Sequence, residues 1–241
     1  MNRMMIYFRI AVMTAMTINV KGWYVTCIIL IGLSFSVSSQ NNDFGTWWGV
    51  EVRKKLPHDL RISLEAEARL NENSNRLKNI YIKPSLQYKP LSWLKLSTLY
   101  RFDNRYQTKG NYFTQRHRIA FNIGFEYPIK RFEFEYRNRT QLEWENIYSA
   151  KKSYPKLENR NMIAIGYKWP NLPLRTTIDT ECWIPIEVGA WLSRIRASAT
   201  QEVSLGKMHK IQARFIFQSQ LFRSEPLREY IFSLKYVLTI N

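Results

Sequence analysis

Few residues of this 241-residue chain are of a type that does covalent or metal chemistry: three histidines (His58, His117 and His209) and two cysteines (Cys27 and Cys182). None of the histidines has a second His, a Cys or a carboxylate at a spacing that would hold zinc, and Asp59 beside His58 falls in a predicted turn. Among carboxylate pairs, Glu133 and Glu135 are flanked by Arg131 and Arg137. Cations at that spacing keep both acids ionised, which denies either one the role of general acid. The sequence therefore points away from an enzyme and calls for neither a metal nor a cofactor. What it offers in quantity is charge, 36 Lys and Arg against 19 Asp and Glu, arranged in a regular pattern.

That pattern has a period of two. In LRISLEAEARL, residues 60–70, Leu60, Ile62, Leu64, Ala66, Ala68 and Leu70 alternate with Arg61, Ser63, Glu65, Glu67 and Arg69. Side chains of a strand alternate between faces, so the stretch makes a strand with one oily and one ionic side. The alternation recurs at 83–88, 94–103, 118–127, 131–137, 163–169, 174–184, 195–203, 211–217 and 230–240, and helical spacing fits none of these segments as well. Short connections at Pro57-His58-Asp59, Pro90-Leu91-Ser92, Pro128-Ile129-Lys130, 170–173 and Ser204-Leu205-Gly206 swap with longer polar ones near 71–78, 104–114, 146–158, 186–192 and 221–229. Short turns on one rim and long loops on the other describe an up-and-down antiparallel barrel. The segments from residue 60 onward give ten strands, and Trp47 to Leu56 reads as an eleventh. A bacterial single-chain membrane barrel usually has an even number, so either one more strand exists or residues 40–56 do something other than pair in the wall. The expectation is ten to twelve strands.

The single long apolar run, Trp23 to Phe35, follows Lys21 and precedes Ser36, Ser38 and Ser39, the order of a secretory signal peptide over residues 1–39. The leader is long for that role, which makes Met13 or Met16 an alternative start, and a permanent anchor is the competing reading of the same run. Residues 40–241 then form one barrel domain. Cys27 leaves with the leader, so Cys182 has no intramolecular disulfide partner. The remainder stays strongly basic, but its aromatics alternate through strands instead of forming a stacking platform, which argues against nucleic acid.

Alternation alone does not say which face meets water; volume does. The apolar faces carry Tyr88, Tyr100, Phe102, Phe121, Phe125, Tyr127, Phe132, Phe134, Tyr136, Trp144, Tyr167, Trp169, Phe215, Phe217, Tyr230, Phe232 and Tyr236. A narrow lumen already filled by ordinary side chains has no room for them all, so they point outward, toward lipid. Strands of roughly ten residues with aromatics near both ends match a transmembrane β-barrel, closed because an unpaired edge in hydrocarbon costs several kcal/mol per group. A soluble secreted β-sandwich or lipocalin-like binder is the runner-up.

Phe44-Gly45-Thr46-Trp47, Glu67-Ala68-Arg69, Gln87-Tyr88-Lys89-Pro90 running into Trp93-Leu94-Lys95-Leu96, Tyr100-Arg101-Phe102 and Arg116-His117-Arg118 resemble the domain-of-unknown-function 2490 family, outer-membrane barrels of Gram-negative bacteria. The resemblance is clearest over residues 44–144. It implies residence in the outer membrane, with outer-membrane lipids, lipopolysaccharide and the barrel-insertion machinery as partners, and it carries no activity across. The chain departs from the usual aromatic ending of such barrels, finishing Leu238-Thr239-Ile240-Asn241.

With the oily face outward, the lumen receives Arg61, Glu65, Glu67, Arg69, Arg101, Arg118, Glu126, Glu133, Glu135, Arg137, Arg139, Asp179, Glu181, Arg194, Arg196, Glu202 and Arg214. Both signs are mixed, so these groups are expected to pair as an ionic plug that stiffens the wall; a polar permeation path for small solutes is the alternative. A lipid hydrolase of this membrane would place a serine two residues from a histidine, where this chain has Leu60, Ile119 and Ile211. His117 shares its face with Asn138 and Thr140 if a tight turn joins the strands, which leaves a lipid-modifying enzyme as a remoter alternative to His117 as part of an interfacial Arg116-His117-Arg118 cluster. Arg53-Lys54-Lys55, Lys130-Arg131, Lys151-Lys152 and Lys207 near strand ends are candidates for contact with lipid phosphates.

Overall fold

The computed structural model describes residues 42–107, 110–145, 155–186, 192–221 and 227–240. The expected signal peptide lies outside these residues, as do Lys151-Lys152 and much of three of the long loops. The described residues form eleven strands: β1 (Asn42–Leu56), β2 (Leu60–Asn71), β3 (Arg76–Leu91), β4 (Leu94–Gln107), β5 (Tyr112–Ile129), β6 (Phe132–Glu145), β7 (Lys156–Lys168), β8 (Leu174–Pro185), β9 (Arg194–Leu205), β10 (His209–Gln220) and β11 (Leu227–Ile240). They close into one barrel in which sequence neighbours pair antiparallel throughout. At 12 to 18 residues the strands are longer than the expected ten, so their ends project past an apolar band of about 25 Å.

The strand whose role alternation left open is a full member of the wall. β1 pairs antiparallel with β2 on one side and parallel with β11 on the other, in register from Asn42 opposite Arg228 to Lys54 opposite Ile240. The parallel seam follows from parity: when every hairpin reverses direction, the first and last of an odd number of strands run the same way. A Cβ on Gly45 would lie 2.7 Å from the Leu70 carbonyl oxygen, so the approach of β1 to β2 requires glycine there. The start of β1 is also tied down by the β2–β3 turn, where the Asn73 amide donates to Asp43 Oδ1 at 3.1 Å and the Ser74 amide to the Phe44 carbonyl at 3.1 Å. That turn is only four residues, 72–75, shorter than the polarity of 71–78 implies, and it holds Glu72, Asn73 and Ser74 at positive φ.

On the opposite rim the turn after β1 places both His58 and Asp59 at positive φ, the geometry of a tight hairpin whose twist matches its strands. His58 is thus a turn residue. The wall's two faces separate cleanly. Phe121 and Ile178 are 63% exposed and Tyr127 and Ile163 65%, whereas Glu65 is 3%, Glu181 2% and Arg101 7% exposed. The apolar side is outside and the ionic side is the core, the reverse of a soluble barrel. Outward aromatics pack in two bands: Trp93 on Phe125, Phe125 on Tyr136 and Phe132 on Tyr167 near the short turns, and Phe102 on His117 and Phe217 on Tyr230 near the long loops.

Candidate functional site

Every inward position of this wall is set by strand parity and by register, and together these bring charges from distant strands into contact. On β2, Glu65 accepts from Lys83 of β3 at 2.9 Å, from Lys235 of β11 at 2.8 Å and from the Tyr81 hydroxyl. Two residues along, Glu67 holds Arg69 at 2.7 Å. On β8, Glu181 gathers Arg160 at 2.5 Å, Arg137 at 2.9 Å and Arg196 at 3.8 Å from three different strands. Asp179 takes Arg214 at 2.8 Å and the Ser198 hydroxyl. Across the lumen Asp103 accepts from Arg101 at 2.6 Å, Arg116 at 2.9 Å and the Asn79 amide at 2.8 Å, while Glu143 accepts from Arg116 at 3.1 Å and Arg118 Nε at 2.9 Å. Pairing of this kind is what makes ionised groups tolerable away from water.

Fourteen of the seventeen residues expected in the lumen line one cavity of about 790 Å³: Glu65, Glu67, Arg69, Arg101, Arg118, Glu135, Arg137, Arg139, Asp179, Glu181, Arg194, Arg196, Glu202 and Arg214. Glu126, held by Lys89 and Lys95, lies off it. Arg61 and Glu133 share their parity but sit nearer the short-turn rim and off the cavity. Arg61 lies in register with Lys55 and Gln87; Glu133 pairs with Arg175 at 3.0 Å and Lys168 at 3.5 Å. Glu135 meets Lys95 at 3.2 Å, so each member of the Glu133/Glu135 pair has its own cation.

Sequence reasoning missed several members. Arg160, Glu143 and Lys235 are inward, and parity alone would have found Arg160, two residues before the inward Met162 and Ala164. Arg116 enters the lumen beside the expected Arg118, which corrects the competing expectation that both join His117 in an interfacial cluster: adjacent residues of a strand face opposite ways, so only His117 points out. Arg53 likewise leaves its basic cluster and grips Glu51 through two bonds of 2.8 Å. Among the described residues, three aromatics are buried inside, Trp47 at 7%, Tyr81 at 3% and Trp183 at 2% exposure. Guanidinium groups stack on them: Arg69 at 3.7 Å from the Trp47 ring centre, Arg101 at 3.8 Å from Tyr81, and Arg160 and Arg196 at 4.3 and 4.7 Å from Trp183. Trp47 also packs with Ile216 and Ile231, a small oily plug within an ionic lumen.

On the outer face, His117 Nδ1 is 2.6 Å from the Tyr100 hydroxyl and the ring packs edge-on against Phe102. Register sets His117 opposite Trp144, while Asn138 and Thr140 stand opposite Ile123 and Phe121. The expected face-sharing of His117 with Asn138 and Thr140 therefore brings no contact, because the β5–β6 turn lies farther along the strands than a shared level requires.

A closed sheet with an oily exterior and a charged lumen defines a β-barrel of the membrane-spanning type. The chain belongs to the family described as proteins of unknown function, DUF2490, whose model matches residues 44–226. Among solved structures it resembles the β domain of the Bordetella autotransporter Brka, at 12% identity and a TM-score of 0.50 over 73% of this chain and 82% of that one, a likeness of fold. No curated protein matches it.

Proposed function

We propose that the chain is an integral barrel of the outer membrane of a Gram-negative bacterium, of structural role or at most a narrow pore, whose lumen is closed by its own side chains. The observation that carries this is the lumen itself: paired charges, three aromatics under stacked guanidinium groups and a cavity of about 790 Å³. The supporting observation is the exterior, where apolar side chains such as Tyr127 and Ile163 are 65% exposed and need hydrocarbon. In this reading the long loops face outward from the cell and the short turns inward. The exposed cations Lys54, Lys55, Lys130, Arg131 and Lys207 all lie at the short-turn rim, where they meet phosphates of the inner leaflet, while lipopolysaccharide packs on the opposite aromatic band. No catalytic step belongs to the proposal.

The experiment is a detergent-folded sample, first run on gels with and without boiling and then inserted in a planar bilayer. A mobility shift on heating with little or no stepwise conductance supports the plug. Large discrete steps whose size changes with Arg101 or Arg137 substitutions would instead establish a passive small-solute channel.

A further inference from the structure

Cations outnumber carboxylates in the lumen. Among the described residues, sixteen lysines and arginines but ten carboxylates line the cavity. Around Arg139 of β6 the imbalance is local: its charged neighbours include Lys83, Arg118, Arg137, Arg160 and Glu181, and among the described residues no carboxylate comes within ion-pair distance of it. Arg139 spends its Nε on a neutral acceptor, Asn122 Oδ1 at 2.5 Å, which leaves both terminal nitrogens with no acceptor among the described residues. The surrounding arginines draw on Glu143 and Glu181, each of which is already shared between arginines. Nε of Arg137 is buried without an acceptor, and so is that of Arg101, a residue only 7% exposed. Several guanidinium groups with spare donors facing one cavity form a site for an anion that accepts many hydrogen bonds at once, since unpaired buried cations are far costlier than paired ones.

We propose that the lumen holds a tetrahedral oxyanion of the phosphate class between Arg139 and its neighbouring arginines. The proposal rests on the closed-lumen reading, because it is the ion-paired plug that holds these arginines in place. A compact dianion fits the chemistry better than chloride: it offers four acceptor oxygens to forked donors and neutralises two charges where the local carboxylates fall short. The anion is either free phosphate or the phosphoryl group of a small solute, and both fit within the cavity.

The test is isothermal titration of the detergent-folded full-length barrel with inorganic phosphate, with glucose 6-phosphate as a second arm, both against chloride at matched ionic strength. Phosphate or the monoester should bind in chloride buffer, and Arg139→Gln should weaken that binding by about tenfold or more, the loss expected for charge-assisted hydrogen bonds. Asn122→Asp gives a second reading: the substitution is isosteric, keeps the bond to Arg139 and supplies the missing negative charge, so the variant should stay folded and lose the binding. If Arg139→Gln does not fold, Asn122→Asp decides. Binding of only one ligand supports the site and identifies its source. Heats indistinguishable from chloride, or an Asn122→Asp variant that binds as tightly as the parent, overturn it. An open, conducting barrel that still bound phosphate would refute the plug and leave the site, whereas a closed barrel indifferent to both ligands would refute the site and leave the plug.

Discussion

Replacing Glu181 by glutamine removes one charge from the most heavily shared carboxylate of the lumen. Its side chain is 3% exposed, and the arginines it holds are 7% (Arg160), 12% (Arg196) and 23% (Arg137) exposed. Glutamine fills the same space, so packing and the cavity are unchanged, and what is lost is the neutralisation of three guanidinium groups. Breaking a buried ion pair from one side costs about 3–5 kcal/mol, because the remaining partner is left uncompensated. With a urea dependence of about 2 kcal/mol per molar, the unfolding midpoint should fall by roughly 1.5–2.5 M. The assay is reversible urea unfolding of the folded barrel in lipid, read by tryptophan fluorescence in phosphate-free chloride buffer. The comparison is Glu72→Gln at the long-loop rim, where Glu72 and Arg76 are 3.2 Å apart but 48% and 42% exposed. Water and salt screen that pair, so its removal costs below about 1 kcal/mol and shifts the midpoint by no more than about 0.5 M. A Glu181→Gln midpoint as close to the parent as that of Glu72→Gln would show that the lumen is wet enough to dispense with its ion pairs, and the plug would fail with it.

Three further outcomes follow from other parts of the wall. Ile163→Arg, near the middle of β7 and 65% exposed, should destabilise the barrel in lipid by about 2–4 kcal/mol, measured by the same unfolding assay. Trp183→Ala removes the ring on which Arg160 and Arg196 stack and should turn a silent barrel into one with measurable conductance steps in a planar bilayer. Paired cysteines at Trp48 with Leu234, and separately at Val52 with Leu238, should both crosslink on mild oxidation, since only a parallel β1–β11 seam puts both pairs in register.

The strands and their two faces were readable because alternation is local: Ile119, Phe121, Ile123 and Phe125 carry their own orientation wherever the strand ends up. Partners are not local. Nothing near Glu181 in the chain announces that Arg137, Arg160 and Arg196 converge on it, because that meeting depends on the register of four strands at once. The seam was hidden for a related reason: β1 alternates like any other strand, and its pairing with β11 is decided by the parity of the whole wall. Trp47 and Trp48 are adjacent and chemically alike, so composition does not say which one enters the lumen; Trp47 shares its face with Gly45 and Gly49. The inward Leu99, Met162 and Ile216 break the rule that the lumen face is polar, and they sit where parity places them.

The claim on which all of this depends is that alternate residues of each strand face lipid and lumen. In a cysteine-free background, single cysteines placed at each position from 161 to 166 on β7 and labelled with a fluorophore report the environment of each side chain against nitroxide-bearing lipids. The account predicts alternation, with labels at 163 and 165 quenched strongly and those at 162 and 164 protected. Uniform quenching along the strand, or alternation of the opposite phase, would contradict it.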